Sequence, residues 1–223
     1  MTVTPIDELA LLRLLQLADS ALPVGAAAHS FGLESLIEDG AVTVDGMESF
    51  LLGFLEENGS MEAAFCRAAH RLSQVPGEEF AAEWRSLNQR LSARKLARES
   101  RDASLSLGRR LLRLASELLP EIALPDDVDA HHVTAFGLVA GIAGIDERSA
   151  VLAWLHQSTA ALVSAAQRLA PLGQTRASGM LWRLKPAMRD LAEVAYGDVS
   201  CSAPLPEIAA MRHTKLASRL FMS

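Results

Sequence analysis

The sequence predicts an all-α fold, a single-domain helical bundle of roughly eight to ten helices followed by a C-terminal tail. Alanine and leucine, which favour helices, dominate the composition, whereas aromatic residues, which favour strands, make up only 5%. Half of the 223 residues are hydrophobic, which is enough for one sizeable core. Leucines recur at three- and four-residue steps, as on one face of a helix, at positions 107, 111, 114 and 118.

Thr4, Pro5 and Asp7 suit the N-cap, N1 and N3 positions of the first predicted helix, which runs to Leu17. This stretch is apolar on nearly every face, and we therefore expect a helix buried at the centre of the bundle. Pro23 and Gly25 end it.

Two further helices are expected before residue 60. One extends from about residue 29 to Gly40. Asp45 and Glu48 form an acidic analogue of a capping box, which predicts that the other helix opens there. It should stop before Gly59, so that Ser60 caps the next helix.

Prolines and caps divide the second half of the chain. Pro76-Gly77 predicts a turn, and the helical pattern from 78 to 119 is long enough to contain one bend. Asp146 is expected to cap a helix that Pro171 ends. Pro186 either kinks a helix or lies in the first turn of a new one.

A break predicted at Pro204 and Pro206 divides the chain into a domain of residues 1–203 and a partner-binding tail of residues 204–223. The tail can form an apolar strip flanked by basic side chains, the pattern of a short helix that binds in a partner's groove. Packing onto the chain's own domain is the alternative. The strip contains Met211, Leu216, Leu220 and Phe221, and the basic side chains are Arg212, His213, Lys215 and Arg219.

The segment ALPVGAAAHSFGLES, residues 21–35, also has an unusual composition. Pro23 and Gly25 require a turn, and His29, Ser30 and Glu34 then place polar groups at the start of a helix. An exposed recognition edge and a tight interhelical turn explain these residues equally well.

The segment PLGQT, residues 171–175, predicts a structural corner. Pro171 ends a long helix, and Gly173 permits a left-handed backbone. Gln174 and Thr175 can cap the helix that follows.

The sequence contains no P-loop, no HExxH and no GxSxG, so we predict that the chain is not an enzyme. Gly137, Gly141 and Gly144 lie in an apolar helix with no strand before it. Small residues in such a helix predict a close helix crossing rather than a phosphate site.

The alternative function is an all-α regulator or enzyme that holds a metal or a small ligand with the cluster from Asp126 to His132. Asp126, Asp127 and Asp129 precede His131 and His132. Adjacent helical residues point roughly 100° apart and cannot share a face, so a solvated loop that caps the next helix is the better interpretation. With so few convergent Cys and His residues, we expect no cofactor to be bound tightly.

Composition restricts the partners. A formal charge of -6 without a sustained basic stripe argues against nucleic acid. The longest weakly polar stretch, residues 133–145, is too short to span a bilayer, which argues against a membrane. Cys66 and Cys201 fit neither a disulfide framework nor a metal site, as is typical of a cytoplasmic protein.

One predicted helix is rich in charge. Its basic residues alternate with Glu99 and Asp102, which favours a solvated face with local ion pairs over a partner-binding surface. The basic residues are Arg94, Lys95, Arg98, Arg101, Arg109 and Arg110.

Five segments stand in a characteristic order and spacing. They are LLQLADSALPVG at 14–25, HSFGLE at 29–34, ARKLARESRDASLSLGRRLLRL at 93–114, PLGQT at 171–175 and MRHTKLASRLFMS at 211–223. Together they resemble the UreF family of urease accessory proteins over nearly the whole chain. The chain departs from the family pattern at Ala27, Ala28, Ala177, Ser178, Thr214 and Met222.

The resemblance implies a non-catalytic chaperone that bridges the accessory protein UreH, also called UreD, and the GTPase UreG. Nickel and GTP would be handled by this partner complex, in which the chain is a homodimer, while the nickel site of apo-urease is assembled. The residues that face UreH/UreD would be Met211, Arg212, His213, Arg219, Leu220 and Phe221. The residues that face UreG would be Pro23, Gly25, His29, Ser30 and Glu34. Pro171, Leu172, Gly173 and Gln174 would be shared between the fold and the oligomer interface.

Overall fold

A computed structural model of the chain describes residues 7–26, 29–120, 129–193, 204–213 and 220–221. These residues form helices and no strands, which confirms the all-α class. None of the described helices is long and apolar enough to cross a membrane. The helices are α1 (Glu8–Leu17), α2 (Leu33–Glu38), α3 (Met47–Phe54), a π-helical turn (Leu55–Gly59), α4 (Ser60–Leu72), α5 (Gly77–Arg94), α6 (Arg98–Leu118), α7 (His132–Ile142), α8 (Glu147–Leu169), α9 (Gln174–Arg183), α10 (Lys185–Leu191) and α11 (Pro204–His213).

Helix α7 occupies the centre of the bundle, packed against α4, α6 and α8, and almost all of it is buried. It crosses α4 closely, because a Cβ atom on Gly137 would lie 2.2 Å from the carbonyl oxygen of Cys66. A Cβ atom on Gly141 would lie 2.8 Å from the carbonyl oxygen of His70. The predicted close crossing is confirmed at these two glycines, whereas Gly144 follows the helix with a φ of 77°.

Helix α1 lies at the surface, so the prediction that it is the central buried helix is wrong. Leu17 is its only buried residue, and Leu12 and Leu15 are 64% and 60% exposed. Arg13 holds the helix on the bundle by donating a 2.8 Å hydrogen bond to the carbonyl oxygen of Ala143. A helix that packs along one side can bury only the apolar residues on that side, so the apolar residues on its other sides stay exposed.

The helix that begins at Met47 does not stop before Gly59. It continues through the π-helical turn into α4, because the wider turn accommodates an extra residue without ending the helix. Ser60 is therefore inside a continuous helix and caps nothing, and its hydroxyl donates a 3.0 Å hydrogen bond to the carbonyl oxygen of Glu57.

The expected capping box of α3 is also absent. Asp45 and Glu48 instead bind two arginines of α9, Arg176 at 2.8 Å and Arg183 at 2.7 Å. The arginine pairs tie α9 to the start of α3, and the N-cap position of α3 is Gly46.

Other predicted boundaries are confirmed. Asp146 caps α8 by accepting a 2.9 Å hydrogen bond from the backbone N–H of Ser149. The start of α1 differs from the prediction, because Asp7, expected at N3, is its N-cap and accepts hydrogen bonds through its carboxylate, while Thr4 and Pro5 lie outside the described residues. The bend expected within residues 78–119 falls at residues 95–97, between α5 and α6. Pro186 lies in the first turn of α10, where its missing N–H costs no helical hydrogen bond.

Candidate partner-binding site

The described end of the tail is hydrogen-bonded to the start of α2. The backbone N–H of Leu220 donates to Oε1 of Glu34 at 2.7 Å, and that of Phe221 donates to Oε2 at 3.3 Å. Glu34 is buried, and hydrogen bonds to a carboxylate are stronger than those between neutral groups. Two segments that the family resemblance assigns to different partners therefore contact each other within one chain.

Phe221 anchors this end of the tail. Its side chain is only 5% exposed, and the guanidinium carbon of Arg168 on α8 lies 4.3 Å from the ring centroid. Leu220 is 71% exposed. The docked tail thus buries one apolar side chain and presents its neighbour to solvent.

Helix α11 begins at the two prolines that predicted a break, since proline is tolerated in the first turn of a helix. It packs against α2 and α6, and Ala209 and Ala210 are buried. The carboxylate of Glu207 accepts a hydrogen bond from the backbone N–H of Ala97 at the start of α6. Packing of the tail onto its own domain, one of the two alternatives, is therefore observed for the described part of the tail. The division at residue 203 stays a prediction.

Three residues expected to face UreH/UreD can be placed on this tail, in addition to Phe221. Met211 is 43% exposed, and the exposed Arg212 lies 3.6 Å from Asp39 at the end of α2. Leu220 is the third. The side chain of His213 and the whole of Arg219, Leu216, Lys215, Thr214 and Met222 lie outside the described residues.

The residues expected to face UreG are divided between surface and interior. Pro23 is exposed and Gly25 is partly exposed, but His29, Ser30 and Glu34 are all buried. Of the two alternatives, burial favours the tight interhelical turn over an exposed recognition edge for these three side chains. Any role in partner binding stays a prediction for all five.

The backbone explains this tight turn. Phe31 and Gly32 have φ values of 51° and 86°, so α2 begins at Leu33, later than the sequence predicts. Gly25, with a φ of 85°, leaves room for Arg110, whose Nη1 would lie 2.5 Å from a Cβ atom at that position. Burial, together with the charge of Arg110, lowers the pKa of His29.

The PLGQT segment joins α8 to α9 as a corner. Leu172 is buried, while Pro171, Gly173 and Gln174 are exposed. Gly173 is the N-cap of α9 with a φ of -66°, so neither its expected left-handed backbone nor capping by Gln174 or Thr175 occurs. An extended N-cap is the usual conformation at a helix start and needs no glycine. Two positions at which the chain departs from the family pattern follow this corner, and of these Ala177 is buried and Ser178 is exposed.

The cluster considered for a metal or a small ligand is only partly described, since Asp126 and Asp127 lie outside the described residues. His131 is fully buried, with one ring nitrogen 2.8 Å from Oγ of Ser92 and the other 3.0 Å from Oγ of Ser104. Burial lowers the pKa of His131 to about 3. Both ring nitrogens are thus occupied by serine hydroxyls, which favours a structural role.

Its neighbours do not complete a metal site. His132 lies edge-on to Trp154, with ring centroids 4.9 Å apart, and Asp129 is exposed 3.7 Å from Arg109. Within residues 7–26, 29–120, 129–193, 204–213 and 220–221, no three His, Cys, Asp or Glu residues are grouped to hold a metal ion.

Sequence reasoning missed a buried ionised cluster around Glu62 of α4. Its Oε1 lies 3.1 Å from Nζ of Lys95, and its Oε2 accepts a 3.0 Å hydrogen bond from the indole N–H of Trp154. The three side chains line a cavity of about 390 Å³ between the 19–31 segment and α8. The available signal was a carboxylate within the otherwise apolar stretch MEAAFC.

The fold defines a class, an all-α helical bundle in which the described part of the tail packs on its own domain. The UreF family model matches residues 42–185. The urease accessory protein UreF of a Nostoc species is 34% identical over 235 aligned positions, which cover 100% of both chains. UreF of Lachnoclostridium phytofermentans is 33% identical, covering 95% of this chain and 98% of its own. Urease accessory protein F of Oryza sativa subsp. japonica is 30% identical, covering 92% of this chain and 82% of its own.

The chain belongs to the UreF family of urease accessory proteins. It is an accessory protein and not an enzyme, as the sequence predicts.

Proposed function

We propose that this chain bridges UreH/UreD and the GTPase UreG, and so promotes the GTP-dependent assembly of the nickel site of apo-urease. In this proposal the chain acts as a homodimer within the complex. Nickel and GTP are handled by the partners, and the chain binds no cofactor tightly. Its membership of the UreF family supports the proposal.

One observation carries the bridging role, the contact between Glu34 and the end of the tail. The two backbone hydrogen bonds from Leu220 and Phe221 connect the segment expected to bind UreH/UreD with the segment expected to bind UreG. A partner that holds the tail therefore also fixes the carboxylate at the start of α2. Binding at one segment can then be communicated to the other through a single buried side chain.

The docked tail also offers a surface for the partner. Leu220 and Met211 are large apolar side chains exposed at 71% and 43%, and the exposed basic Arg212 follows Met211 in the sequence. Phe221 keeps the end of the tail in place, so little ordering is needed when a partner arrives. Exposed apolar and arginine side chains around a fixed anchor are typical of an interface core.

The test is capture of purified UreH/UreD and UreG by variants of this chain. Leu220→Glu should weaken UreH/UreD binding by about 2 kcal/mol, or roughly thirtyfold, while the melting temperature stays unchanged. The matched control is Leu12→Glu, since Leu12 on α1 is similarly exposed at 64% and should bind UreH/UreD normally. Equal binding by both variants would contradict the assignment of the tail.

A second variant tests the bridging itself. Glu34→Gln removes the charge that receives the two tail hydrogen bonds, and should weaken capture of UreH/UreD and UreG together. A folded Glu34→Gln protein that binds both partners normally, with an unchanged circular dichroism spectrum, would contradict the role of this contact.

A further inference from the structure

Three arginines on α6 form an exposed basic surface, here called the arginine ridge, which consists of Arg109, Arg110 and Arg113. Arg109 and Arg113 are one helical turn apart on the same face. Arg110 points toward the 19–31 segment, where its Nη1 donates a 3.3 Å hydrogen bond to the carbonyl oxygen of Val24.

Few described carboxylates balance the arginine ridge. Asp129 lies 3.7 Å from Arg109, but both side chains are more than half exposed, and such pairs contribute little. Among the described residues, no carboxylate forms an ion pair with Arg110 or Arg113. Arg98, nearer the start of the same helix, is by contrast paired with Asp102 at 3.2 Å.

The ridge is the end of a strongly basic sector in an acidic protein. Residues 85–113 contain nine basic and two acidic residues, a charge of +7, so that the remaining residues carry -13 of the total of -6. Arg110 contributes to the fold through its hydrogen bond to Val24, but Arg109 and Arg113 are like charges one turn apart, which destabilise a helix. Such an arrangement produces a directed field that attracts an acidic surface.

We propose that the arginine ridge binds a carboxylate-rich surface of the GTPase, an inference that rests on the proposed function. The ridge adjoins the segment expected to face that partner, because Arg110 packs against Gly25, next to the exposed Pro23. Guanidinium groups bind carboxylates in pairs of parallel hydrogen bonds and are enriched at protein interfaces. The ridge spans roughly 6 Å of helix, which suits a short carboxylate cluster and is too short to follow a nucleic-acid backbone.

The experiment measures association of purified UreG with a preformed complex of UreH/UreD and this chain. The test variant carries Arg109→Glu and Arg113→Glu. The control carries Lys185→Glu and Arg189→Glu, two exposed basic residues of α10 outside the basic sector of residues 85–113, and has the same net charge. At low salt we expect UreG association about tenfold slower for the test variant and within about twofold of wild type for the control. The difference should shrink as salt is raised, since exposed charges are screened.

A lysine variant separates charge from loss of structure. Arg109→Lys with Arg113→Lys keeps both charges and should associate within about threefold of wild type. The glutamate variant keeps one pair of like charges a helical turn apart at positions 109 and 113, as in wild type, so its melting temperature should stay close to that of wild type. If that variant folds poorly, Arg109→Gln with Arg113→Gln should show the same salt-dependent loss at about half the size.

The outcomes distinguish the two proposals. If the wild-type complex does not bind UreG, the proposed function fails. If wild type binds and the glutamate variant binds as well as the control, or loses affinity equally at every salt concentration, the arginine ridge is not the docking surface.

Discussion

Replacing Gly137 by alanine tests the central helix crossing directly. The added Cβ atom would lie 2.2 Å from the carbonyl oxygen of Cys66, a backbone atom of α4. Carbon and oxygen atoms that are not bonded approach to no less than about 3.2 Å, so α4 and α7 must separate locally by roughly 1 Å. Backbone cannot move aside as the end of a flexible side chain can, and both helices are held by the rest of the core.

The expected loss can be estimated from two opposing effects. Overpacking a dense core costs about 1–3 kcal/mol, occasionally more, and here the obstruction is rigid backbone. Alanine in place of glycine inside a helix returns about 1 kcal/mol. We expect a net destabilisation of about 2 kcal/mol, which lowers the melting temperature by roughly 4–8 °C for a chain of this length.

Gly53→Ala is the matched control, because Gly53 is also helical but nothing lies within 4 Å of a Cβ atom there. This variant should be more stable than wild type by up to about 1 kcal/mol. Both variants are compared by thermal and urea unfolding, with circular dichroism at 222 nm as the signal. A Gly137→Ala protein as stable as Gly53→Ala would refute the packing described for α4 and α7.

Two further predictions concern buried polar groups. Glu62→Ala should lower the free energy of unfolding measured in urea by about 3–5 kcal/mol, because it leaves the Lys95 ammonium buried without its carboxylate partner. Adding Lys95→Met should restore much of the loss. Equal instability of the single and double variants would show that the pair is unimportant. Burial lowers the pKa of His131 to about 3, so below about pH 6.5 the unfolded chain binds a proton at this histidine whereas the folded chain does not. The free energy of unfolding is therefore highest above about pH 6.5 and decreases as the pH falls toward 3. His131 should contribute at most about 1.4 kcal/mol per pH unit to the slope of the unfolding free energy against pH, and this slope should decrease in His131→Asn. Equal urea midpoints at about pH 7.5 and about pH 5 would contradict the prediction.

Local sequence signals predicted the features that depend on neighbouring residues. Asp146 and Pro186 lie at the helix positions that their side chains favour, because capping and the proline ring act within one helical turn. The sequence also predicted the close helix crossing at Gly137 and Gly141, since small residues in an apolar helix have few roles besides close packing.

Local sequence signals do not predict features that depend on residues far apart in the sequence. Apolar residues on every side of α1 predict burial, but whether another helix covers each side is decided by the fold. The bond from Glu34 to the end of the tail joins residues 186 positions apart, and nothing local to Glu34 specifies it. Asp45 and Glu48 had a local capping role available, yet two arginines of α9 offered stronger charged partners.

The most direct test of the proposed role is to co-express the urease operon with this chain intact, absent, or ended before Met211. Urease activity and the nickel content of purified urease are then measured together. The bridging proposal predicts that both are high with the intact chain and low when it is absent. Both should also be low when the tail is removed, while the shortened chain remains folded. Full activity and nickel content without the chain would contradict a role in urease maturation, and full activation by the shortened chain would contradict the role of the tail.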